Sequence, residues 1–202
     1  RSRYGDARRT TLEAGEEEDM TDDSLIQEED VVVTLTHFGY VKRLPTDTYR
    51  SQHRGGRGIS GMQTREEDFV ETLLTPSTHD VLLFFTNRGR VFRLKGYQVP
   101  EAGRQAKGTA IVNLLQLDGG EKVRTVIPIR TFDQGGYLMM ATRKGVVKKT
   151  ELSEFSNLNR SGLIAVNLRD EDELIGVRLT EGDHDIILVT RNGMSIRFSE
   201  TD

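Results

Sequence analysis

Beyond Asp30 the chain alternates between short runs of β-branched, aromatic and leucine residues and brief polar breaks rich in glycine. The three-to-four spacing of an amphipathic helix is nearly absent, which predicts strands joined by tight turns. One phrase recurs four times: an apolar strand, Thr, two residues, Gly, three residues, then Lys or Arg. Its instances are Thr36-Gly39-Arg43, Thr86-Gly89-Arg93, Thr142-Gly145-Lys149 and Thr190-Gly193-Arg197, with 50, 56 and 48 residues between successive glycines. A strand, an x-Gly pair and a second strand predict a β-hairpin whose tight primed turn uses the positive φ open to glycine. One such hairpin is commonplace, but four in register define a repeat.

More of the unit recurs. A second basic-then-glycine stretch follows each hairpin glycine by 17 to 19 residues, ending at Gly58, Gly108 and Gly162. Each leads into a strand candidate (59–62, 110–115, 163–168), then an acidic turn and another strand (69–74, 123–129, 174–179). About four strands per unit is the make-up of a propeller blade. The expectation is an all-β, propeller-like pinwheel of four-stranded blades at about 31–79, 80–134 and 135–183, with a fourth begun at 184–202. A propeller must close to hide its sheet edges, so this is read as an incomplete ring or a trimmed chain.

Charge changes the picture because it is unevenly spread. Taken whole, the net charge of −4 argues against a nucleic-acid partner. Residues 1–30, however, hold 4 basic and 11 acidic side chains, while residues 31–202 hold 24 and 21. A mildly basic body is masked by an acidic leader, with no basic residue between Thr11 and Asp30. Such a run solvates a linker or a helix end, or else acts as a strap competing with DNA for a basic face. The longest apolar runs, Val81 to Phe85 and Ile186 to Val189, are too short to span a bilayer. The chain has no cysteine, which excludes disulfides and thiolate metal sites. His37, His53, His79 and His184 lack ligand spacing, and no nucleophile–base constellation stands out.

The most specific chemistry lies in Gln52-His53-Arg54-Gly55-Gly56-Arg57-Gly58. Three glycines in four positions let the backbone approach a phosphate and offer unhindered N–H donors. Arg54 and Arg57 supply forked donors for phosphate oxygens, and Gln52 either bonds sugar or phosphate or locks the loop. Nothing in this set is placed to read base edges, so sequence specificity should be low. The overlapping Gly56-Arg57-Gly58-Ile59-Ser60-Gly61 matches the dinucleotide fingerprint G-x-G-x-x-G, but without the strand, helix and βαβ context that motif requires.

The heptapeptide resembles the signature box of the C-terminal domain of the gyrase A family, within the type IIA topoisomerases. The family pattern is Gln, basic, Arg, Gly, Gly, basic, Gly, and His53 is the one departure, a weaker phosphate contact unless protonated. The resemblance extends to Val31 to Tyr49, to Phe84-Phe85-Thr86-Asn87-Arg88-Gly89 and to Gly193 to Asp202. Tyr4 to Thr10 is similar to the end of the DNA-cleavage core, so residues 1–30 are read as that end plus an acidic linker. Tyr4 does not sit in the family's catalytic tyrosine motif.

The resemblance implies a non-catalytic module that binds double-stranded DNA on a convex rim, bends and wraps it, and so enables ATP-dependent negative supercoiling by the complete enzyme. It further implies partnership with the rest of a gyrase A polypeptide and with gyrase B in a bacterial cytoplasmic, nucleoid-associated enzyme. ATP and magnesium belong to that complete enzyme, and no cofactor or metal is expected in this chain. The box residues and a rim of Lys42, Arg43, Arg88, Arg90, Arg93, Lys95, Arg104, Lys107, Arg143, Lys144, Lys148, Lys149, Arg160 and Arg197 are the candidate contacts. Any one of these is equally an ordinary solvated side chain, whereas recurrence at equivalent positions favours a continuous track. The rivals are the topoisomerase IV counterpart, which has a degraded box, and a propeller scaffold that binds proteins.

Overall fold

The computed structural model describes residues 22–48 and 68–202. The box and the strand candidate 59–62 lie outside the described residues. Thirteen strands are formed among the described residues, and the helical elements there are single 3-10 turns. The first hairpin is β1 (Val31–Thr36) and β2 (Tyr40–Pro45), followed by β3 (Val70–Leu74). The second is β4 (Val81–Thr86) and β5 (Arg90–Lys95), followed by β6 (Thr109–Ala110) and β7 (Val123–Ile129). The third is β8 (Tyr137–Thr142) and β9 (Val147–Glu151), followed by β10 (Leu163–Ile164) and β11 (Leu174–Thr180). The fourth is β12 (Asp185–Val189) and β13 (Ser195–Ser199).

The recurring Thr-x-x-Gly is a four-residue turn. Each glycine N–H donates to the carbonyl of its threonine at 2.9–3.0 Å. The next residue's N–H donates to the threonine Oγ1 at 3.1–3.3 Å. The four glycines have φ between +74° and +83°, while among the described non-glycine residues only Glu171 has a positive φ. The turn is therefore a type I turn closed by a left-handed glycine, not the primed turn expected from the sequence. Glycine takes the position after the two central residues, and those keep ordinary negative φ.

The sheets do not follow the repeat boundaries. Their orders are β3-β1-β2-β6, β10-β5-β4-β7, β11-β8-β9 and β12-β13. The short outer strand β6 belongs to the second repeat in sequence but pairs with β2 of the first, Tyr40 opposite Ala110. Likewise β10 pairs with β5 of the preceding repeat. Each four-stranded sheet thus takes three strands from its own repeat and one from the next, a correction to the contiguous blades expected above. The candidates 110–115 and 163–168 also shrink to two-residue strands, the first running into a 3-10 turn at Ile111–Asn113.

Two hydrophobic cores lie between neighbouring sheets, and β4 serves both. Its odd residues Val81, Leu83 and Phe85 meet Leu138, Met140, Phe155 and Val177 of the third repeat. Its even residues Leu82 and Phe84 meet Val31, Val33, Leu35 and Val41 of the first. Alternation along a strand sends neighbouring side chains to opposite faces, so a strand buried on both sides reads as an unbroken apolar run. Strands β3, β7 and β11 line one common cavity together with residues of β8 and β12.

Candidate nucleic-acid interface

The repeat carries two kinds of loop, and their chemistry differs. One kind is the hairpin tip with the acidic loop packed against it. In the first repeat the Phe38 N–H donates to the buried carboxylate of Asp68 at 3.0 Å, and the His37 N–H to the Phe69 carbonyl at 2.9 Å. In the second, Thr86 Oγ1 donates to Glu121 at 2.6 Å and the Asn87 N–H to the Lys122 carbonyl at 2.9 Å. In the third, the Lys144 N–H donates to Asp172 at 3.0 Å and the Arg143 N–H to the Glu173 carbonyl at 2.8 Å. One buried acid therefore holds the turn in each of the first three repeats. The sequence alone shows only an acidic turn here, although a spacing signal is present: Asp68, Glu121 and Asp172 follow their hairpin glycines by 29, 32 and 27 residues.

This tip face is balanced in charge. Arg88 pairs with Asp118 and donates to the Gly119 carbonyl at 2.6 Å. Arg90 is enclosed by Asp118, Glu121 and the carbonyls of Gln116 and Ser161. Arg143 donates to the Glu171 carbonyl and Lys144 to that of Asp170. These four rim candidates stand beside acids or spend donors on backbone.

The other kind of loop contains no acid. Its sequence instances are the box 52–58, Gly103 to Gly108 and Ser156 to Gly162. The two described ones run directly into the outer strands β6 and β10. Arg104 and Arg160 are exposed there, and Lys107 sits 3.7 Å above the ring of Tyr40. Arg93, Lys95 and Arg160 line a groove between the second and third repeats with Gln98, Asn113 and Asn159; among the described residues no acid lines it. Three cations among neutral amides suit a phosphodiester backbone, whose oxygens accept from both.

Lys42 corrects the sequence reading. Its side chain is buried, and its ammonium donates to the carbonyls of Gly103, Arg104 and Ala106 at 3.1, 2.8 and 2.9 Å. Burial holds its pKa below the usual lysine value. It therefore braces the loop that carries Arg104 and Lys107 and is not itself a rim contact.

In the first three repeats the basic residue four places after the hairpin glycine is likewise a latch. Arg43 donates to the Val99 carbonyl at 2.8 Å and lies 3.3 Å from Glu101, both in the second repeat. Arg93 donates to the Ser156 carbonyl of the third. Lys149 reaches the Gly182 and Glu200 carbonyls and covers the ring of Tyr137. Each thus reaches from one repeat into the next or to the connection leading to it, and only Arg93 among the three is exposed. Lys148 donates to the Ala165 carbonyl, and Arg197 pairs with Asp185 on the facing strand, its Nε 3.0 Å from the carboxylate. Among the described residues, Glu181, Asp183 and His184 form an exposed group whose donor atoms lie within 4.8 Å of one another, and no helix is long and apolar enough to cross a membrane.

Comparison with known proteins places this architecture. A family model described as DNA gyrase C-terminal domain, beta-propeller, matches residues 30–77, 80–130, 136–181 and 184–202. The chain is 56% identical over all 202 residues to the DNA gyrase A polypeptide of Clostridium acetobutylicum, of which it covers 24%, so it spans about a quarter of that relative. Among solved structures, it superposes on the C-terminal domain of DNA topoisomerase IV with a TM-score of 0.74 at 34% identity, covering 87% of this chain and 53% of that one. It superposes on a DNA gyrase A C-terminal domain with a TM-score of 0.64 at 26% identity, covering 85% and 55%. With its four-fold hairpin register and exchanged outer strands, the chain belongs to the DNA gyrase C-terminal domain family of β-propellers.

Proposed function

We propose that this chain binds double-stranded DNA through its phosphate backbone, without sequence preference, and bends it along the acid-poor loops. The observation that carries this is the recurrence of a basic, acid-free, glycine-closed loop at one register in three repeats, with Arg54 and Arg57 in the first, Arg104 and Lys107 in the second and Arg160 in the third. Within a complete gyrase the bent duplex would be presented for strand passage. Gyrase B would use ATP and magnesium, and the outcome would be negative supercoiling.

Affinity would come mainly from released counterions. With ~6–10 phosphate contacts, it should fall by roughly 10³–10⁵ between 50 and 200 mM salt. Arg54→Ala with Arg57→Ala should keep much of this affinity, because other cations remain, and lose the bend. Energy transfer between labelled duplex ends, read beside affinity, tests this: undiminished bending in the double variant would remove the box from the role. A topoisomerase IV reading is favoured by the structural likeness to that domain, but the near-complete box and the gyrase A relative favour gyrase. Restoring supercoiling rather than decatenation alone, when this segment replaces its counterpart in a complete gyrase A polypeptide, would decide between them.

A further inference from the structure

The described end of the acidic leader is tied to the body. Residues 26–30 run beside 76–80: the Thr78 N–H donates to the Glu29 carbonyl, Thr78 Oγ1 to the Gln27 carbonyl, and His79 Nε2 lies 2.8 Å from the Ile26 carbonyl. From this track its carboxylates reach cations. Asp23 lies 3.0 Å from the Lys95 ammonium, Glu28 2.7 Å from Arg130, and Glu29 3.9 Å from Arg43. Lys95 is one of the three cations of the acid-free groove, so Asp23 cancels part of the charge that would attract DNA there. Partial burial alone would raise the Asp23 pKa, but hydrogen bonds from Lys95 and Tyr97 outweigh it and keep the group ionised.

We propose that residues 22–30 are an internal competitor for the DNA backbone, with Asp23 occupying Lys95 until a phosphate displaces it. This rests on the DNA-binding reading above. The carboxylates are one-third to one-half exposed, and ion pairs at that exposure are weak and exchangeable. A tethered competitor nevertheless acts at high effective concentration. A phosphate arriving at Lys95 gains what the aspartate gives up and also releases the counterions of the duplex. The strap would therefore raise the threshold for DNA engagement and leave the groove itself intact.

The test compares the 202-residue chain with Asp23→Asn/Glu28→Gln/Glu29→Gln and with a control of equal charge change at exposed acids elsewhere, Asp133→Asn/Asp170→Asn/Asp183→Asn. Binding to a short random-sequence duplex is measured from ~50 to 200 mM salt. The strap variant should bind roughly 3- to 10-fold tighter at the low end, with a slope of log affinity against log salt steeper by about 1 to 2, while the control stays within about twofold. Equal tightening of both variants would reduce the effect to net charge and overturn the proposal, as would no tightening of the strap variant. Asp23→Asn alone, a surface change, carries the same comparison if the triple variant does not fold. If no form of the chain, wild type included, retains the duplex at low salt, the DNA-binding reading itself falls and takes the strap with it.

Discussion

Lys42 shows how far the role of a single charge depends on its partners. In the sequence it stands next to Arg43 as one of two cations on a strand. In the structure its three N–H donors are all spent on the backbone of residues 103–106. Lys42→Met keeps the length and apolar stem but leaves three carbonyls without their donor, and should cost about 2–3 kcal/mol of stability by chemical denaturation. It should also weaken DNA binding through the loosened Arg104 and Lys107, a loss that Arg160→Ala would show without any loss of stability.

Glu200 gives a second test at this scale. Burial alone would raise its pKa, but donors from Thr180, Gly182 and His184 and the Lys149 charge bring it down to about 2. A carboxylate lowered on folding stabilises fully above its unfolded value, near 4.5, and loses that contribution as pH falls toward about 2. Glu200→Gln should flatten stability against pH in that window and leave the shape above pH 5 unchanged. An unaltered acid limb in the variant would show that Glu200 is not the group responsible.

At the scale of the element, the hairpin turn combines a local rule with a neighbour's demand. All four turn glycines need a left-handed φ, but the space around them differs. A Cβ on Gly89 would lie 2.5 Å from the Val166 carbonyl, whereas nothing lies within 4 Å of one on Gly193. Gly193→Ala should cost about 1 kcal/mol for backbone strain alone, and Gly89→Ala about 2–4 kcal/mol because overlap is added. Thermal unfolding of the two variants checks the order; equal losses would mean the second repeat yields at Val166.

The hairpins themselves are legible in the sequence, because Thr-x-x-Gly between apolar runs is a local signal. The buried acids are legible only as loop charge, since nothing in Asp68, Glu121 or Asp172 alone says that it turns inward to backbone N–H groups. The outer strands are misplaced by the sequence pattern for a related reason. Two residues such as Leu163-Ile164 carry too little pattern to say which sheet they join, and pairing with the preceding repeat is decided by tertiary contact. The box lies in plain view as a motif, while the inward turn of Lys42 and the latching by Arg43 and Lys149 depend on partners that are distant in the sequence.

At the scale of the whole molecule, the two kinds of loop divide the work. In the second and third repeats the tips and acidic loops neutralise one another, while the described acid-free loops carry positive charge beside the outer strands. Net charge therefore says little about partners, because the balance is struck within one face and left open on the other. The predicted salt sensitivity, the loss of bending without the box and the gain on neutralising the leader are three readings of that one asymmetry.

The exchange of outer strands has a mechanical side. Loop Gly103–Gly108 is covalently part of the second repeat, yet β6, which follows it, is hydrogen-bonded to β2 of the first. A duplex resists curvature, at a cost of order 1–6 kcal/mol over a short site, and would push back on whatever holds it curved. Recoil delivered to that loop would be shared at once by two repeats, through the chain on one side and the strand pairing on the other. From the first repeat to the third the outer edge would then act as one strip, with no single repeat bearing the load and no joint along that stretch at which the curvature could relax.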